Sequence, residues 1–371
     1  MSENLPALED LLADHDMLLA ALETPALWSR EVADALPDSP ITSVSVRPVG
    51  TGQVASCLRV VLDHGDAATP NTAGSTTSFV VKTGSHDPVS RSVSAALRHG
   101  EIEVGFYTRM APHCSTRTPV CHLSAINANA DDFVLVLEDL AAHEQADQIR
   151  GMSLEHTEQA LDQLAALHAQ WWGTVPSGTS SFLTERGDPT AHAALLGMLH
   201  EGFAQRYAGM LDADVLAVGE RLIAAAPDYL VNRPGPTAVV HGDFRPDNLL
   251  VPAGGLDDSV AVLDWQTVTV GPALADVSYF LGGALLPEQR REHEQELLES
   301  YRSALAARGV ELSAAEVSEG YRRYALDGLV MAIGASQVVG QTDRGDDMFC
   351  AMAQRSAHHA LESGTFELLG T

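Results

Sequence analysis

The stretch Val239-Val240-His241-Gly242-Asp243-Phe244-Arg245-Pro246-Asp247-Asn248-Leu249-Leu250-Val251 decides how this chain is read. It sets an Asp and an Asn five residues apart on a turn between two apolar runs, Thr237 to His241 and Leu249 to Val251. A further run, Val260-Ala261-Val262-Leu263, ends on Asp264 and continues as Trp265-Gln266. Short apolar runs bounded by Gly, Pro and Asp read as strands. The spacing therefore predicts strand, polar turn, strand, a hairpin tip over 253–258, and a strand into Asp264.

That inventory suits phosphoryl transfer from ATP. One carboxylate must orient the acceptor hydroxyl and take its proton, while an Asn and a second carboxylate hold Mg²⁺ on the phosphates. Asp243 is the candidate base, and Asn248 and Asp264 are the candidate Mg²⁺ ligands. Arg245, beside Asp243, is a candidate for touching the transferred phosphoryl group or the substrate. His241 is read as a brace for the turn. Protein kinases carry the same parts as H-R-D-x-x-x-x-N followed by D-F-G. Here the strings are His241-Gly242-Asp243-x-x-x-x-Asn248 and Asp264-Trp265-Gln266. They resemble the aminoglycoside phosphotransferase/choline kinase superfamily, whose signature is H-G-D-x-x-x-x-N. The Asp-aromatic-Gln ending is most similar to its ecdysteroid-kinase-like branch. The resemblance runs from about residue 41 to about residue 340.

The fold this implies is α+β, kinase-like and bilobal. A small antiparallel-sheet lobe would span 1–137, with two helices over 4–36 capping it. A hinge would occupy 138–140, and a larger, mostly helical catalytic and substrate-binding lobe 141–371. ATP would lie in the cleft between the lobes.

Composition supplies an independent pointer. Of 22 basic residues only one, Lys82, is a lysine, and it closes the strand-like run Ser78-Phe79-Val80-Val81-Lys82. An ammonium is a compact point charge suited to bridging α- and β-phosphates, and a planar guanidinium does not replace it like for like. A helix is predicted from about Pro88 to Met110, with Val93, Ala96, Leu97, Val104 and Tyr107 facing inward. A kinase fold needs a carboxylate there to hold the lysine. Glu101 and Glu103 are the candidates, and the resemblance of Glu103-Val104-Gly105-Phe106-Tyr107 to an E-V-x-F-Y segment selects Glu103. Gly50-Thr51-Gly52-Gln53, between strands over 41–49 and 54–62, is a loop whose backbone N–H groups would approach phosphates. Ala55 and Ser56 stand where a third glycine would complete that pattern. Phe133 to Leu140 is a buried-strand run. By resemblance, the backbone from Glu138 to Leu140 would pair with adenine.

A formal charge of −28 argues against a nucleic-acid partner, because phosphate backbones call for basic patches. No apolar run approaches the ~18 residues of a membrane span. The N-terminus lacks the basic flank of a signal peptide, and four scattered cysteines make no disulfide framework, so a cytoplasmic protein is the expectation. His113-Cys114 and Cys121-His122 lack metal-ligand spacing, so zinc is not expected. His168 falls within an apolar helical stripe and reads as a buried core histidine. Asp276, at the start of a helix, is read as a support for the polar turn. Helices are further expected over 191–208, 212–231, 287–308, 312–338 and 344–362, the last three walling the acceptor pocket by resemblance.

The function these features favour is Mg²⁺–ATP-dependent transfer to a hydroxyl on a largely apolar small molecule, of sterol or hydroxyacyl thioester type. An aminoglycoside acceptor is the first alternative, given the acidic composition. A nucleotide-binding pseudokinase is the second, distinguished by full ATP binding without turnover. A third is an unrelated helical protein carrying the motif by coincidence, which would bind no nucleotide.

Overall fold

The computed structural model describes residues 5–50, 55–65, 75–184, 188–253 and 259–370. The chain divides into two compact units, one comprising Met1–His113 and Pro119–Ala141, the other Cys114–Thr118 and Ala142–Thr371.

The first unit opens with three short helices, α1 (Leu8–Leu12), α2 (His15–Leu22) and α3 (Pro25–Glu31). The apolar spacing predicts two. The extra break falls at Asp14, whose carboxylate accepts from the Asp16 and Met17 N–H groups and starts α2 afresh. Then follow β1 (Ile41–Pro48), β2 (Ala55–His64), β3 (Thr76–Gly84), α4 (Pro88–Ala96), α5 (His99–Arg109), β4 (Cys121–Ile126) and β5 (Phe133–Glu138). The strands form one antiparallel sheet in the order β1-β2-β3-β5-β4. Strand alternation sends Phe79, Val81, Val134 and Val136 into a core with Leu11, Leu18, Leu22 and Trp28. Trp28 stacks on Phe79, ring centroids 5.7 Å apart, and its indole N–H donates to Leu22 O. Lys82 therefore points to the opposite face.

The single helix predicted from Pro88 to Met110 is two. Arg98 adopts φ +60° between α4 and α5, and Ala96 and Leu97 lie exposed rather than inward. After the break Gly100 lies flat against Phe133. A Cβ there would stand 2.7 Å from the ring. This close approach sets α5 against β4 and β5.

The second unit contains β6 (His143–Gln145), α6 (Leu154–Gln170), α7 (Ser180–Leu183), α8 (Pro189–Tyr207), α9 (Ala213–Tyr229), β7 (Thr237–Val240), β8 (Leu249–Pro252), β9 (Ala261–Val262) and β10 (Thr269–Pro272). It ends in α10 (Ala273–Ala284), α11 (Pro287–Ala307), α12 (Ala314–Arg323), α13 (Asp327–Ser336), α14 (Asp343–Ser363) and α15 (Thr365–Leu369). Its small sheets are β6-β8-β9 and β7-β10. Its core gathers Phe203, Tyr207, Leu222, Leu326, Ile333 and Phe349 from α8, α9, α13, α14 and the approach to α13. The helix expected over 312–338 is interrupted. Ser356 of α14 enters the gap, where its hydroxyl donates to Ala325 O (2.6 Å) and accepts from the Leu329 N–H (3.0 Å).

Candidate active site

Within the first unit Lys82 and Glu103 meet. Lys82 Nζ lies 2.7 Å from Glu103 Oε2 and 2.8 Å from Oε1, with Glu103 only 1% exposed. Removing two charges from water is costly unless they pair closely, so this contact fixes both side chains. Glu101, the other candidate, faces away and forms a bidentate pair with Arg98. Burial pushes the nearby Cys121 thiol up to about 12. Gly50 follows β1 with φ +77°, while Thr51, Gly52 and Gln53 lie outside the described residues. Glu138 ends β5, and its N–H donates to Val120 O. That donor is therefore committed within the unit. Leu140 is buried just beyond it.

The second unit builds the polar turn after β7 from several directions. Asp276, in the first turn of α10, accepts from the His241 N–H (2.6 Å) and the Gly242 N–H (3.0 Å). Burial alone would raise its carboxyl, but the hydrogen bond and charge of His168, with His241 and the Gly242 N–H, hold it below the ordinary value. His168 Nε2 lies 3.4 Å from Asp276, and its Nδ1 is 2.8 Å from the Tyr301 hydroxyl. It is thus a buried histidine with both nitrogens partnered. His241 Nε2 lies 2.8 Å from Leu263 O, while Nδ1 accepts from the Asp243 N–H (3.2 Å). Its ring therefore clamps the turn to the strand end that carries Asp264. Gly242 has φ +80°, and a Cβ there would stand 2.7 Å from Thr267 O. Only glycine closes this turn without strain.

Asp243 emerges 8% exposed with its carboxylate surrounded by donors. Oδ2 accepts from Asn248 Nδ2 (3.0 Å) and Arg245 Nε (3.3 Å), and Oδ1 accepts from the Tyr279 hydroxyl (2.6 Å). Arg245 also reaches Asp247 Oδ2 (3.3 Å). Burial opposes its charge, but Asp243, Tyr279, Asp247 and Asp264 hold the guanidinium above its usual value. Asp247 in turn accepts from the Gln148 N–H and from Arg344.

The donor chemistry fits a hard divalent cation. Asn248 spends Nδ2 on the Asp243 backbone carbonyl (2.9 Å) and carboxylate, which turns Oδ1 the other way. The Leu263 N–H donates to Asn248 O (2.9 Å), bringing the end of β9 alongside. The next residue, Asp264, takes the left-handed conformation at φ +63°. One amide oxygen and one carboxylate are the kind of sparse protein set that Mg²⁺ accepts, the remaining positions going to water and phosphate. Among the described residues no three His, Cys, Asp or Glu side chains are grouped to hold a metal. Trp265 is a core plug, its indole N–H donating to Val262 O (3.1 Å) and its ring 4.8 Å from His241.

Tyr279 and Asp247 escaped the sequence reading. A tyrosine in an apolar helix looks like core, and only its spacing of three from Asp276 places both on one helix face.

The chain matches the model of the family described as "Phosphotransferase enzyme family" over residues 68–309, well over half its 371 residues. A choline kinase from Cryptosporidium parvum has a similar structure, with a TM-score of 0.53 and 10% identity, covering 96% of each chain. A protein from Ralstonia eutropha, provisionally described as an aminoglycoside phosphotransferase, gives a TM-score of 0.50 and 18% identity over 91% of this chain and 97% of that one. At these identities the likeness is one of fold. Acyl-CoA dehydrogenase family member 10 of Mus musculus is 44% identical over 68 residues, 18% of this chain but only 6% of that protein's length. Among the described residues no helix is long and apolar enough to cross a membrane. The chain belongs to the phosphotransferase enzyme family.

Proposed function

We propose that the chain transfers the γ-phosphoryl group of Mg²⁺–ATP directly to a hydroxyl on a small, largely apolar molecule. The observation that carries this is the Asp243 carboxylate, held by Asn248, Arg245 and Tyr279 on a turn that Asp276 grips by its backbone. In this reading Asp243 orients the acceptor hydroxyl and takes its proton. Lys82, kept in place by Glu103, bridges nucleotide phosphates, Gly50 to Gln53 supply further phosphate-binding backbone groups as their sequence suggests, and Glu138 to Leu140 contact adenine. Asn248 Oδ1 and Asp264 hold Mg²⁺, which neutralises charge on the phosphates. Arg245, already committed to two carboxylates, serves by fixing Asp243 more than by reaching the substrate. Residues 1–137 form the nucleotide-binding lobe, 138–140 the hinge and 141–371 the catalytic and substrate-binding lobe. Transfer is direct, because the turn presents no Ser, Cys or His placed to take the phosphoryl group.

The Asp264-Trp265-Gln266 ending supports the ecdysteroid-kinase-like branch. The short match to a protein named for acyl-CoA chemistry supports hydroxyacyl thioesters ahead of sterols among the acceptors to test. The experiment is mass spectrometry of a pooled library incubated with Mg²⁺–ATP, beside the Asp243→Ala variant. The pool holds hydroxyacyl thioesters, sterols, sugars, choline-like alcohols and aminoglycosides. One compound gaining a phosphoryl group is the expected result, with turnover in the variant lower by ~10²–10⁴-fold and ATP binding retained. Equal product from the variant overturns the role of Asp243. ATP binding without product from any acceptor favours the pseudokinase reading.

A further inference from the structure

Tyr279 holds the Asp243 carboxylate but has been given no part of its own in the transfer, yet its hydroxyl lies nearer to Asp243 than Asn248 or Arg245 does, 2.6 Å from Oδ1. An ionised carboxylate offers about four lone-pair sites, two on each oxygen. Asn248 and Arg245 take both on Oδ2, and Tyr279 takes one on Oδ1. The site left for an acceptor hydroxyl is the second on Oδ1, on the very oxygen that Tyr279 holds.

The helix makes this arrangement rigid. Asp276 and Tyr279 are three residues apart on α10, so one face grips the turn twice, by the backbone N–H groups of His241 and Gly242 and by the Asp243 side chain. The Tyr279 ring borders a cavity of about 10 Å³, lined also by Gln148, Arg245, Gly282, Gly328 and Ser356. Such a space holds about one water. Burial and the neighbouring Asp243 charge keep the phenol far above its ordinary value, so it remains a donor.

We propose that Tyr279 is a positioning residue for phosphoryl transfer: its hydroxyl holds Asp243 so that the remaining Oδ1 lone pair meets the acceptor hydroxyl. Without that hydrogen bond the carboxylate is free to turn onto Arg245, whose Nε already lies 3.3 Å from Oδ2, as a two-point ion pair. The acceptor would then lose the oxygen that orients it. The inference rests on the role given to Asp243 above.

The test is Tyr279→Phe, assayed with the library compound that the unmodified chain phosphorylates. A hydrogen bond to a charged group is worth roughly 10- to 100-fold in rate, so kcat should fall by that much while KM for acceptor and for Mg²⁺–ATP each stay within about twofold. In an Asp243→Ala background the same substitution should cost nothing further, since its effect passes through that carboxylate. Unchanged kcat, a loss confined to the nucleotide KM, or an equal loss in the Asp243→Ala background overturns the proposal. Should the Phe variant fail to fold, 3-fluorotyrosine and 3,5-difluorotyrosine at position 279 decide: kcat that tracks phenol acidity supports the role, and a flat response overturns it. If the unmodified chain phosphorylates nothing, the proposed function falls and this inference with it. If it is active and Tyr279→Phe matches it, only this inference falls.

Discussion

Lys82 in the first unit and Asp243 in the second are both charged groups kept nearly out of water, but they are held by different means. Lys82 pairs with Glu103, a carboxylate delivered by a helix 21 residues further on. Asp243 depends on three neutral or cationic donors, and the backbone beneath it is itself gripped by Asp276 and His241. An ion pair of two side chains is made at the far ends of flexible stems. A turn tied through its peptide groups spreads the same task over a helix, a neighbouring strand and a histidine. The first arrangement tolerates some change of geometry, whereas the second must be built as a whole.

Asp276→Ala is the hardest blow to this contrast. It leaves the buried His241 N–H, the part-buried Gly242 N–H and His168 without their carboxylate, and removing one side of such a charged network costs about 3–5 kcal/mol. Urea denaturation should show that loss, and a change below about 1 kcal/mol would mean the turn is held by other contacts. Gly242→Ala follows, at about 2–3 kcal/mol, because a Cβ must sit at positive φ against Thr267 O. A variant as stable as the parent would show that the turn can relax. Glu103→Gln should be milder in the same assay, about 1–2 kcal/mol, since the amide keeps the shape and one hydrogen bond to Lys82. If it proves as damaging as Asp276→Ala, the two units are held alike after all. The smallest effect concerns the surroundings of the pair. Because burial raises the Cys121 thiol, its thiolate fraction is low, and at pH 8 it should alkylate at least ~100-fold more slowly than a free thiol. Labelling at the ordinary rate, read by peptide mass spectrometry, would show that this part of the first unit opens readily.

Much of the site was legible in the sequence because it lies in one stretch. His241, Asp243, Asn248 and Asp264 sit at strand ends whose apolar runs announce themselves, and a turn forces neighbours in sequence to be neighbours in space. Asp276 stood out as an acid at the head of an apolar helix. Lys82 was legible for another reason, as the one lysine in a chain that otherwise uses arginine. The choice between Glu101 and Glu103 was not open to spacing alone. Both lie on the same helix, and which one turns inward follows from the break at Arg98 and the contact of Gly100 with Phe133. The break between α12 and α13 was equally hidden, because the hydroxyl that fills it belongs to Ser356, 27 residues beyond Leu329.

By itself, then, the sequence determined the kinase-like family, the polar turn and the one lysine, because these rest on local spacing and on the chemistry of single residues. Tertiary structure alone decided that Arg245 is shared between Asp243 and Asp247, and that Tyr279 closes over the carboxylate. Those choices depend on distances between elements far apart in the chain. Side-chain type does not encode such distances, since a buried tyrosine on an apolar helix reads the same whether its hydroxyl meets a backbone carbonyl or Asp243.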